Sequence, residues 1–112
     1  MPKFKLIALT KPNAGCEDEY NVWYQNVHLP EVCALPGIQG AQRFKQAAVL
    51  QNGDEHNYLA VYDIETDDIG ATLASFGQAV AAGEITQSDS SDSAGSYAVI
   101  FSEFGERVTS KN

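Results

Sequence analysis

Three strand-forming segments of this chain are apolar on both faces, and that pattern limits how the remainder can be arranged. In "KFKLIALT", residues 3–10, Phe4, Leu6 and Ala8 point one way while Ile7 and Leu9 point the other. In "NYLAVYDIE", residues 57–65, Tyr58, Ala60, Tyr62 and Ile64 oppose Leu59 and Val61. In "YAVIFSEF", residues 97–104, Tyr97, Val99 and Phe101 oppose Ala98, Ile100 and Phe104. An antiparallel sheet with one wet face alternates apolar and polar side chains. These strands instead require cover on both sides.

The rest of the chain supplies cover for one side only. Tyr20, Trp23, Tyr24 and Val27 recur at i, i+3, i+4 and i+7, the apolar stripe of a helix, with Glu17, Asp18 and Glu19 in its first turn. Pro30 disfavours helical dihedrals at Leu29, so a break is expected near His28, followed by a short turn from Pro30 to about Leu35. Residues 38–50 read as a long strand, and "QNGDEH" carries the Asn-Gly signal of a hairpin. A second helix is expected from Thr66 as N-cap, with Ile69, Leu73, Phe76 and Val80 buried and Gly83 at its end. Residues 86–96, "TQSDSSDSAGS", read as a mobile polar loop.

The order β-α-β-β-α-β is the ferredoxin-like pattern: an α+β fold with a four-stranded antiparallel sheet and two helices on one face. All 112 residues are expected in one domain. The second apolar face then calls for a second copy of the same sheet, a homodimer, or else stays half exposed on a monomer.

A formal net charge of -8 argues against nucleic acid and anionic membrane surfaces as partners. No apolar run approaches the roughly 20 residues of a membrane helix, and the start of the chain reads as a strand and not a signal peptide, so cytoplasm is the expected location. Cys16 and Cys33 flank the first helix on the order of 20 Å apart, beyond the reach of a disulfide, and are expected as free thiols. Gly-x-Gly-x-x-Gly and Gly-x-Ser-x-Gly runs are absent. Two distant histidines with scattered carboxylates have no metal-ligand spacing.

Among individual residues, His28 has two readings. Near a helical C-terminus with Glu31 close by, an imidazolium is favoured and titration near neutrality suits acid-base work. Alternatively, His28 only caps carbonyls at the break. Trp23 and Tyr24 either pack in the core or stack on a ligand. Tyr58, Tyr62 and Tyr97 are expected to face the same way on neighbouring strands, and either line a pocket or simply pack. Arg43 pairs with an acidic ligand group, or with Glu31 or Asp63. His56 is expected to be solvated.

The run "EDEYNVWYQNVHLPEVCALPGIQGAQRFK" resembles the first helix and second strand of EthD-like proteins of the dimeric α/β-barrel superfamily. Glu19, Tyr20, Trp23, Tyr24, His28, Pro30, Pro36, Gly37, Arg43 and Phe44 stand in the places of that pattern. The resemblance implies a homodimer with sheets packed face to face and a cavity in each protomer between sheet and helices. It further implies a cofactor-independent enzyme of isomerase, cyclase, dehydratase or monooxygenase type, acting on a hydrophobic or aromatic small molecule. His28 would then move a proton, with Trp23, Tyr24, Arg43, Tyr58, Tyr62 and Tyr97 as substrate-binding residues. No metal and no haem is expected. A non-catalytic ligand-binding protein, or a structural or stress-related dimer with a filled core, are the competing functions.

Overall fold

A computed structural model describes residues 1–53 and 55–111. Strand β1 (Lys3–Thr10) leads into a helical run of three parts: α1 (Glu17–Trp23), a π turn (Tyr24–His28) and α2 (Leu29–Cys33). Strands β2 (Ile38–Lys45) and β3 (Tyr58–Glu65), helix α3 (Ile69–Ala81) and strand β4 (Tyr97–Ser102) follow. The strands form one antiparallel sheet in the order β2-β3-β1-β4, which is the expected ferredoxin-like α+β architecture.

Register sorts the side chains into two faces. Leu6 lies opposite Tyr62 and Ile100, and Ala8 opposite Ala60 and Ala98. This inner face meets the helices, and Tyr58, Ala60, Tyr62 and Ile64 are all buried there. On the outer face Ile7 lies between Val61 and Val99, and Leu9 between Leu59 and Tyr97. That face is apolar but open: Val99 and Phe101 are 42% and 58% exposed.

Several boundaries differ from expectation, each for a local reason. The helical run does not break at Leu29, which keeps helical dihedrals (φ −57°, ψ −51°). Inside an α-helix the ring of Pro30 would clash with the carbonyl four residues back. The chain instead widens into the π turn, where the Leu29 N–H bonds the Tyr24 carbonyl. Strand β2 stops at Lys45 and not residue 50, because Lys45 faces Tyr58, the first residue of β3. Strand β4 ends at Ser102, opposite Phe4 near the start of β1, and Phe104 beyond it is fully exposed.

Helix α3 is capped by Asp68 rather than Thr66; the Asp68 carboxylate accepts from the Ala71 N–H at 3.0 Å. Gly83 follows the helix at φ +75°, a conformation that favours glycine. Its expected buried stripe is only partly realised: Phe76 is half-buried, Ala79 is buried, and Leu73 and Val80 are largely exposed.

Residues 86–96 are not a free loop. The Asn13 N–H bonds the Ser90 carbonyl (2.8 Å), the Asp92 N–H bonds the Lys11 carbonyl (3.0 Å), and the Asn13 side chain donates to the carbonyls of Asp89 and Ser91. Ser90 is buried. Among the described residues no helix is long and apolar enough to cross a membrane. Asp68→Ala should destabilise the fold by about 1 kcal/mol, read as a lower midpoint in thermal unfolding; an unchanged midpoint would show that the cap contributes nothing.

Candidate functional site

A cavity of about 280 Å³ lies between the helical run, the sheet and residues 87–98. Trp23, Tyr24 and His28 come from the helical run, Tyr62 from β3, and Gln87, Ser91, Ser93 and Ser96 form a polar wall. The π turn decides this arrangement. It holds the His28 ring against Trp23 (centroids 4.9 Å apart) and edge-on to Tyr24 (4.8 Å). π turns occur often at functional sites because they re-aim side chains that a regular helix would place elsewhere.

The base of the polar wall is held at Thr86. Trp23 Nε1–H donates to the Thr86 carbonyl (3.1 Å), while the Glu31 carboxylate accepts from the Thr86 N–H (2.7 Å) and hydroxyl (2.8 Å). These two bonds, first the backbone one, hold the Glu31 carboxyl below its ordinary range.

Burial pushes the His28 imidazole below the ordinary 6.5, and the smaller pull of Glu31 in the other direction does not offset it. The imidazolium expected from the helix end is thus disfavoured. Charging the ring would also place a proton on Nδ1, which is buried and has no hydrogen-bond partner among the described residues.

Tyr24 and Tyr62 meet through their hydroxyls at 3.2 Å in a buried pair. Burial raises both above the ordinary tyrosine value, and in Tyr62 the neighbouring Tyr24 adds to it. Both stay protonated at neutral pH.

The remaining predicted residues fall outside this cluster or at its margin. Arg43 does not reach the cavity and pairs with neither Glu31 nor Asp63, which bonds Lys5 instead. Its guanidinium lies over the rings of Tyr24 (4.8 Å), Tyr58 (5.4 Å) and Tyr20 (5.6 Å) and donates to the Asn21 side chain at 2.7 Å. Tyr58 belongs to this stack behind the cavity and donates its hydroxyl to Glu17. Tyr97 does not share a face with Tyr58 and Tyr62. Strand β4 pairs with β1, and the Leu9–Tyr97 register turns Tyr97 outward, so it borders the cavity but packs its ring on His56. His56 is accordingly half-buried and bonds the Gly95 carbonyl, not solvated as expected. Cys16 and Cys33 are free thiols.

Sequence reasoning missed the serine wall of the cavity and the Asn21 side chain that holds Arg43 behind it. The serines became relevant through contacts with residues 11–13 that no local pattern announces.

Because the folded state favours neutral His28, its contribution to stability is complete above about pH 6.5 and is lost as pH falls from there toward its lower folded value. Chemical denaturation from pH 7.5 to 5 should show wild type losing stability relative to His28→Gln; parallel curves would contradict the burial of this group.

No known protein-family model matches the chain, and none of the curated proteins does. Solved structures do match. An ethyl tert-butyl ether D (EthD) family protein from Bacillus halodurans C-125 is 15% identical, with TM-score 0.55 over 93% of this chain and 100% of that one. A candidate monooxygenase from Shewanella loihica PV-4 is 17% identical, with TM-score 0.56 over 96% and 99%. A dimeric ferredoxin-like protein of unknown function from Thermobifida fusca YX is 16% identical, with TM-score 0.52 over 91% and 92%. At these identities the likeness is one of architecture: the chain has the EthD-like, ferredoxin-like α+β fold.

Proposed function

We propose that this chain is a small EthD-like protein that takes a hydrophobic, oxygen-bearing molecule (a phenol or an enolisable carbonyl compound) into the cavity and holds its oxygen by a hydrogen bond from His28. The observation that carries this reading is the orphaned, buried Nδ1 on a ring that lines the cavity. A neutral imidazole has one N–H and one bare nitrogen. A buried N–H without an acceptor costs more than a bare lone pair. The proton therefore belongs on Nε2, and the ring meets the cavity as a donor. A base role for His28 would reverse the tautomer and strand a proton on Nδ1.

The Tyr24–Tyr62 pair supplies a second donor. Two hydroxyls carry two hydrogens and use one on their mutual bond. Donors aimed at an oxygen that gains negative charge stabilise the transition state more than the ground state. Isomerase, cyclase, dehydratase or cofactor-independent monooxygenase chemistry through an enolate or phenolate would use such a site. A second reading, ligand binding without turnover, is favoured by one observation: among the described residues the cavity lining contains no carboxylate, lysine or thiol to act as a base.

Native mass spectrometry of gently purified protein should find a discrete small molecule bound to wild type. His28→Phe, which keeps the ring packing, should fold normally and lose it. A folded His28→Phe protein that retains the ligand would overturn the role of His28. Release of the ligand chemically changed after incubation separates an enzyme from a carrier.

The open outer face points to a homodimer through that face, and a likeness to a protein described as dimeric supports it. Sedimentation at micromolar concentration should give a dimer, and Val61→Lys, at the centre of the outer face, a monomer. A monomeric wild type would contradict this.

A further inference from the structure

A second cavity, of about 390 Å³, lies beneath α3, and its lining differs in character from the first. Among the described residues Thr72 is its sole polar side chain, and the half-exposed Leu73 of α3 stands at its wall. Leu6, Phe76 and Ala98 line both cavities. The two spaces are therefore separated by side chains that they share, with the half-buried Phe76 the largest. One compartment carries hydroxyls, an amide and an imidazole; the other carries almost nothing but hydrocarbon.

Size argues for joint use. At about 280 Å³ the first cavity falls at or below the smallest common ligand pockets, about 300 Å³, while the two together fall well inside the usual range. The second cavity also accounts for the position of Leu73. A leucine left half exposed beside an apolar hollow is a cost that an apolar occupant would remove.

We propose that the cavity beneath α3 receives the apolar arm of the molecule whose oxygen is held at His28 and the Tyr24–Tyr62 pair, so that the ligand class is an alkyl-substituted phenol or enol. This rests on the reading of the His28 site given above. Phe76 is the wall past which the arm runs, and the apolar compartment sets the preference for its length.

Trp23 is the single tryptophan of the chain and lines the first cavity, so its fluorescence reports occupancy there. The probes are 4-alkylphenols from methyl to octyl, titrated into the full chain. Affinity should rise about fourfold per added methylene until the arm fills the compartment, then level off. Leu73→Phe and, independently, Ile100→Phe narrow the second cavity. Each should flatten the chain-length dependence while leaving the affinity of 4-methylphenol unchanged. Quenching by 4-methylphenol with no gain from longer chains overturns this inference alone. A gain that survives both substitutions does the same, since the arm then lies elsewhere. Failure of every phenol to quench Trp23 overturns the reading of the His28 site and this inference with it.

Discussion

A proline in the fourth turn of a helical run imposes a debt that the surrounding chain must settle. Pro30 has no N–H to continue the ladder, and its ring needs room where a regular helix puts a carbonyl. The chain settles this by widening to a π turn over Tyr24–His28 rather than by ending the helix. The outcome is chemical as much as geometric. His28 is drawn in against Trp23 and Tyr24, with one ring nitrogen buried among apolar atoms and the ring on the cavity wall. Burial then disfavours the charged form, and the missing partner at Nδ1 sets which nitrogen carries the proton.

The charged groups nearby are arranged to support that ring rather than to react. Glu31, three residues beyond His28, is committed to Thr86 and so fastens the serine wall over the cavity. Arg43 is committed to three tyrosine faces and the Asn21 side chain, each cation–π contact being worth about 0.5–2 kcal/mol according to its exposure. It braces Tyr24 from behind. Neither group places a formal charge on the cavity lining, which suits a site that recognises a neutral or incipiently anionic oxygen by hydrogen bonds.

The sheet and its two-faced apolar character were legible because strand parity is a local property: β1 runs over the very residues its pattern marks, and Tyr58, Ala60, Tyr62 and Ile64 lie on the buried face. Features that depend on register or distant contacts were not. Tyr97 was expected on the face of Tyr62, yet β1 lies between their strands and the pairing turns Tyr97 outward. Leu73 reads as core from its spacing, yet it lies half exposed at the wall of the hollow beneath α3. The motif named Trp23, Tyr24 and His28, which the fold brings together at one cavity, but the charged imidazole expected at His28 is disfavoured. Glu31 is visible in sequence; desolvation is a property of the packed fold, and it outweighs the pull of Glu31, while the helix end expected at His28 is absent because the run continues into α2.

The tautomer of His28 is the point on which the account turns. Nitrogen-15 NMR of the imidazole in the folded protein at neutral pH reads it directly. The account predicts a neutral ring with a protonated, pyrrole-type Nε2 and a bare, pyridine-type Nδ1. A proton on Nδ1, or an imidazolium at neutral pH, would contradict it.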